Sequence, residues 1–270
     1  MTTTPLTTSA TAPHHSSLRY AVRDVLTLAR RNLLALLRVP TALVFMVIQP
    51  VMFVLLFRYI FSSLGSFVPG GLYVNYLVPG ILVQTTIFGA IATAIGLAED
   101  LQRGLIERFK ALPMARMAVL GGRTLADAAR NVLVLIIITG VGFLVGFRPH
   151  GGFFDYIAAC LVMLLFAYCL SWGFAFIGLA APNSETAQAM TFPLIFPLTF
   201  ASTVFIPLWK LPWWLQGFAN NQPVSQATDA VRSLMSGTPV GNHVWVSLLW
   251  SIGMVAVLAP LAVNQFRKVA

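Results

Sequence analysis

Six apolar stretches, nearly free of charge, limit this chain to one class of fold. They run over about 41–61, 73–98, 128–147, 156–181, 187–209 and 244–266. A helix needs about 20 apolar residues to cross a hydrocarbon core. Lipid offers the backbone no water to bond, so stretches of this length fold as helices. The expectation is an all-α integral membrane protein with six transmembrane helices. Composition agrees: of 270 residues, 58% are hydrophobic and 9% charged, against about 25% charged in an ordinary globular domain. The third stretch is least sharply bounded at its start, where Asp127 and Arg130 stand.

The net charge of +9 invites a nucleic-acid reading, but the basic residues flank apolar spans instead of lining one face, which excludes it. With the N-terminus inside, thirteen Lys and Arg fall on the inner side and four, Arg58, Arg148, Lys210 and Arg232, on the outer side. That bias predicts an N-in/C-in topology with both termini cytoplasmic, in the plasma (inner) membrane. Tyr59, Tyr73, Trp209, Trp213, Trp214 and Trp245 fall near the outer ends, where aromatic anchors belong. No cleavable signal peptide is expected, because the first apolar run starts late and follows a basic arm.

Residues 1–17 are rich in Thr, Ser, Ala and Pro and read as a disordered tail, in which His14 and His15 make a poor metal site. Residues 18–38 form an N-terminal amphipathic interfacial helix: at 100° per residue Arg19, Arg23, Asp24, Arg30, Arg31 and Arg38 share one arc. Its partners are membrane lipids or a cytosolic protein. Residues 99–123 are a dense island of charge between the second and third spans. Read as a helix, Leu101, Leu105, Phe109 and Leu112 lie on one face until Pro113 stops it. That apolar stripe needs a cover, from lipid headgroups or a partner protein. The last outer loop, 210–243, reads as two short re-entrant helices broken around Asn220 to Pro223, or as an ordinary extracellular loop.

The chain carries no GxSxG, no HExxH and no phosphate-binding GxxxxGK[ST] loop; Lys110, Lys210 and Lys268 stand in other contexts. It is therefore not expected to be an enzyme or to bind a cofactor or metal. Cys160 and Cys169 are nine apart on opposite sides of one helix and read as small buried hydrophobes. Asp127 and Glu185 stand at cytoplasmic ends, where the default is a solvated role. Pro193 and Pro197 share one face of the fifth span and free two carbonyls, making a gating flexure or a fixed kink. Gly142 and Gly146 form a GxxxG pair in the third span, read as internal packing. Gln49 and Arg58 are the polar members of the first span. Both are candidates for the substrate path, and Arg58 also has the reach to snorkel to the outer interface.

Several blocks resemble the type-2 ABC transporter permeases, in particular the daunorubicin/doxorubicin-resistance exporter permeases. These are 77–89 (LVPGILVQTTIFG), 98–127 (AEDLQRGLIERFKALPMARMAVLGGRTLAD), 146–148 (GFR), 196–216 (FPLTFASTVFIPLWKLPWWLQ) and 221–232 (NQPVSQATDAVR). The most specific element is the spacing Asp100, Gly104, Arg108, Leu112, Pro113. The resemblance, which leaves out the tail before Leu18, implies a type-2 transmembrane domain over 39–270 and two permease copies, identical or paired with a related one. It also implies two separate ATPase subunits that carry ATP and Mg and drive export of amphiphilic drugs or lipids. By the same resemblance the 99–123 loop couples to the ATPase through Glu99, Asp100, Leu101, Arg103, Gly104, Leu105, Glu107, Arg108, Phe109, Leu112 and Pro113. The stripe then docks in the ATPase, with Glu107 and Arg108 at the rim. Two rivals stand beside this reading: a non-transporting membrane scaffold, and an ion-coupled carrier.

Overall fold

The computed structural model describes residues 18–38, 40–60, 73–104 and 117–269, and every long element among them is an α-helix. In chain order these are α1 (Leu18–Leu37), α2 (Pro40–Ile60), α3 (Tyr73–Gln102), α4 (Met117–Val145) and α5 (Phe153–Ala180). Then come α6 (Ser184–Phe200), a 3-10 turn (Leu208–Lys210), α7 (Trp213–Asn221), α8 (Pro223–Ser236) and α9 (His243–Val269). Four of these, α3, α4, α5 and α9, are long and apolar enough to cross a membrane, and α2 contains a shorter apolar stretch, Val47–Ile60. The chain is thus an all-helical, multi-pass membrane protein. His14, His15 and the rest of the tail, with Leu105, Glu107, Arg108, Phe109, Leu112 and Pro113, lie outside the described residues.

Helix α3 is the axis of the molecule and packs against α2, α4, α5, α6 and α8. Its Leu77, Val78, Ile81, Leu82, Ile87 and Ala94 are fully enclosed, so this span meets protein on nearly all sides. Helix α5 fits between α3 and α9, with Phe166 and Met163 buried. Helix α1 lies along α4, where Leu28, Leu97, Leu120 and Phe266 form a second apolar cluster.

Charge pairing explains where helices outrun their apolar stretches. Helix α4 begins at Met117, eleven residues before the expected start near 128, and α3 continues to Gln102. Arg123 pairs with Asp100 across the two helices, and Asp127 and Arg130 pair with each other within α4 while bonding to Thr93 and Gly89 O of α3, so none of them marks an end. The single helix expected from Leu101 to Leu112 is interrupted. Gly104 turns left-handed (φ 64°) and donates to Leu101 O, closing α3. Leu101 accordingly belongs to α3 and packs against the second cluster instead of extending a free stripe. Gly146, with φ 100°, ends α4, so the Gly142–Gly146 spacing is no packing seam; Gly142 alone faces Val78.

The fifth span also departs from expectation. Helix α6 stops at Phe200, nine residues short, and the chain from Ala201 to Ile206 folds back onto the N-terminal half of α3. Tyr73 Oη donates to Phe205 O (2.9 Å) and Tyr76 Oη to Thr203 O (2.8 Å). Tyr73, expected to be an interfacial anchor, is therefore buried at 4% exposure, whereas Trp209, Trp213, Trp214 and Trp245 are exposed. The loop beyond carries α7 and α8, separated at Gln222, with Pro223 opening α8.

Arg232 of α8 ties α8, the 201–206 segment and the start of α3 together. Its guanidinium lies 3.5 Å from the Tyr76 ring centroid, donates to Tyr76 O (3.1 Å) and Thr203 O (2.8 Å), and pairs with Asp229 at 2.6 Å. Hydrogen bonds from a charged donor stabilise by about 1.5–3 kcal/mol each. Replacing Arg232 with Ala is expected to lower stability by roughly 3 kcal/mol, read as a drop in the thermal midpoint of the purified protein. Arg232→Lys, lacking the planar fork, is expected to recover less than half of that loss.

Candidate functional site

Helices α3 and α4 meet through two arginines that would be costly in lipid if left unpaired. Arg123 and Arg130 are seven residues apart on α4 and so lie on one face, two turns apart. Arg123 Nη2 donates to Ala92 O (3.0 Å), and its Nη1 pairs with Asp100 Oδ2 (3.3 Å). Arg130 Nη2 donates to Gly89 O (2.7 Å), and its Nη1 pairs with Asp127 Oδ1 (3.1 Å). Asp127 also accepts from Thr93 Oγ1. Each arginine thus reaches one backbone carbonyl of α3 and one carboxylate. The receiving surface is small by composition: a Cβ on Gly96 would sit 1.6 Å from Arg123 Nη2, and one on Gly89 3.0 Å from Arg130 Nη2.

The Asp127–Arg130 pair is buried, each side chain 7% exposed. This corrects the expectation of a solvated Asp127, while Glu185 is exposed as expected. The physical reason is partnering: an ion pair with added hydrogen bonds survives inside a helix bundle where a lone carboxylate would not.

Above this pair a cavity of about 240 Å³ opens between α2, α3 and α4. Helix α2 contributes Gln49, Pro50 and Phe53; α3 contributes Gln84, Thr85, Phe88, Gly89 and Ala92; α4 contributes Arg130, Asn131 and Val134. Each set recurs at three- and four-residue steps, so each helix turns one face inward. Gln84 is 2% exposed and its Nε2 has no hydrogen-bond partner among the described residues.

An aromatic series leads away from the cavity. Phe53 stacks on Phe57 (6.0 Å), Phe57 on Phe205 (4.7 Å), Phe205 on Phe200 (5.6 Å) and Phe200 on Phe196 (5.6 Å). It continues along α6 to Phe192 (5.9 Å from Phe196). Pro193 and Pro197 stand on the same helix, both exposed, and Pro197 O still accepts from Ala201 N (3.0 Å).

Of the residues singled out from sequence, the cavity gathers Gln49 alone. Arg58 lies at the far end of α2, half-buried, and makes a long hydrogen bond to Val145 O (3.4 Å). Glu99 and Arg103 form an exposed pair at 3.3 Å at the end of α3, while Asp100 turns inward to Arg123. Gln84, Thr93, Arg123, Arg130 and Asn131 were not singled out as site residues, although the matched seven-residue spacings of Gly89–Gly96 and Arg123–Arg130 were available. Among the described residues, no group of three His, Cys, Asp or Glu side chains gathers to hold a metal.

A bundle of apolar helices around a largely apolar cavity with a few polar groups in its wall is the architecture of a membrane permease. The sequence comparisons agree. The ABC-2 type transporter family matches residues 23–236, and the chain belongs to that family. It is 34% identical over 281 residues to the daunorubicin resistance ABC transporter permease protein DrrB1 of Streptomyces coeruleorubidus, covering 99% of each chain. It is also 28% identical to a probable doxorubicin resistance ABC transporter permease protein, DrrC, of Mycobacterium tuberculosis, over 82% of this chain and 80% of that one. A putative transport permease, ycf38, of Porphyra purpurea is 25% identical over 80% of this chain and 75% of its own. The chain is a permease subunit of an ABC exporter.

The buried pair generates a test. Arg130→Met alone leaves Asp127 uncompensated and is expected to cost about 3–5 kcal/mol. The double variant Asp127→Leu with Arg130→Met is expected to recover most of that loss, because it removes both charges. Thermal unfolding of both variants beside the parent reads the difference.

Proposed function

We propose that this permease moves neutral or amphiphilic molecules, drugs or lipids, outward across the plasma membrane, driven by two copies of a separate ATPase subunit. Two permease copies, identical or related, complete the exporter, with both termini and the α3–α4 loop in the cytoplasm. ATP and Mg are carried by the ATPase, and the permease binds neither. The observation that carries this reading is the α3–α4 ladder: the two helices flanking the 105–116 segment are locked together by Arg123 and Arg130. A push on that segment therefore moves both helices as one body, and Arg130 lies in the cavity wall. Leu105, Glu107, Arg108, Phe109, Leu112 and Pro113 are assigned to the docking segment, with Glu99 and Arg103 at its root. Pro193 and Pro197, beside the aromatic series on α6, are assigned to gating.

Names of relatives support the cargo class, since two of them are drug-resistance permeases. Among the described residues lining the cavity the one charged group, Arg130, is paired with Asp127, which supports a cargo that is itself uncharged or weakly charged.

Buried Asp127 favours one alternative, an ion-coupled carrier, because such carriers use carboxylates at depth. Here, however, Asp127 is committed to an ion pair with Arg130 and a hydrogen bond from Thr93, a structural rather than a free carboxylate. Collapse of the proton gradient at constant ATP is expected to leave efflux intact. A fall in efflux with the gradient would support the carrier.

The direct test is gentle purification from native membranes and mass spectrometry of what co-elutes. An ATPase with a phosphate-binding loop is expected, lost when Phe109 is replaced by Asp although the chain still inserts. The same variant is expected to abolish ATP-dependent efflux. Co-elution without flux in the parent would support a scaffold.

A further inference from the structure

We propose that the α2–α3–α4 cavity is a ligand site contained within one copy of this chain, taking an uncharged molecule with a flat apolar body and a hydrogen-bond acceptor. The proposal deepens the permease reading by giving the cargo a seat, and its test involves no transport.

Four observations converge on that chemistry. The cavity, at about 240 Å³, is several times the ~30 Å³ share of one water molecule, so it is more than a packing defect. Gln84 lines it with a buried Nε2 that has no partner among the described residues. A donor left in that state costs about 1–3 kcal/mol, and a ligand acceptor reached by a turn of the amide relieves the cost. Arg130 is matched by Asp127, so the wall carries a charged group but no net charge and offers an ion no preference over a neutral polar group. Phe53 and Phe88 supply aromatic walls, and Phe53 is held by its stack on Phe57. Rigid ring faces of that kind suit a flat apolar body. Entry is lateral: Gln49 on α2 and Ala92 on α3 are exposed at the cavity edge.

Benzophenone tests the site. It is uncharged, has two rings and one carbonyl acceptor, and forms adducts with neighbouring C–H bonds under near-ultraviolet light. The full chain is irradiated in native membrane vesicles over a concentration series, and adducts are mapped by peptide mass spectrometry. Saturable labelling is expected on the segments around Phe53, Phe88 and Val134. Gln84→Leu keeps the volume and removes the orphan donor, so it is expected to fold and to raise the half-saturation about tenfold, the equivalent of one lost hydrogen bond. Diphenylmethane, the same body without the carbonyl, is expected to compete weakly in the parent and as well as benzophenone in Gln84→Leu. Ala92→Trp, a change at an exposed position, is expected to close the mouth and abolish the cavity adducts.

Labelling that rises linearly, or spreads over the outward-facing Leu249, Ile252 and Val257 of α9, would mean partition into the bilayer alone and would overturn the proposal. So would an unchanged half-saturation in Gln84→Leu. Saturable cavity labelling in a chain that co-purifies with no ATPase would keep the site and sink the permease assignment. Co-purification without saturable labelling would do the reverse.

Discussion

Charge inside a hydrocarbon environment must be answered by the protein, because no water is present to answer it. The arrangement of α3 and α4 follows from that constraint. Two arginines enter from α4, and each finds a carboxylate and an α3 carbonyl, over glycines that leave room for the guanidinium. The alternative of apolar side chains at these positions would be cheaper. What the polar version adds is registry: a one-turn slip of one helix past the other would break Arg123–Asp100, both arginine bonds to α3 carbonyls and the Thr93–Asp127 bond, leaving only the Asp127–Arg130 pair within α4. The cavity inherits that alignment, because its wall includes Arg130 and Asn131.

Sequence reading located elements well wherever the apolar stretches ended in turn residues or charge that stays in water. The α2 and α5 boundaries lie within three residues of expectation, and the break between α7 and α8 falls at Gln222, inside the expected 220–223 window. It failed where charge is answered inside the bundle. Asp127 and Arg130 mark the edge of a hydropathy window and yet stand ten and thirteen residues after the start of α4 at Met117, paired with each other and bonded to α3. Periodicity within one helix carries no information about which carbonyl a neighbouring helix will present. The same blindness hid Gln84, a single amide in an apolar run whose meaning depends on α2 and α4 standing beside it.

Gly104 and the segment after Phe200 fail for a different reason. Apolar spacing continues through both places, and backbone geometry overrides it. A left-handed glycine ends α3. The chain after α6 leaves the helix because Tyr73, Tyr76 and Arg232 offer its carbonyls better-directed donors from α3 and α8. Tertiary hydrogen bonds thereby decide a boundary that local pattern left open.

The shortness of α6 has a consequence for the surrounding bilayer. At 17 residues it is about 26 Å long, and the exposed Glu185 near its start shortens the apolar part further. That is less than the ~30 Å of a typical hydrocarbon layer. Helix α6 is accordingly not one of the four described helices long and apolar enough to cross a membrane. Where it stands against lipid, matching it costs the bilayer fractions of a kcal/mol per Å, along the side on which Phe196 and Phe200 are half-exposed.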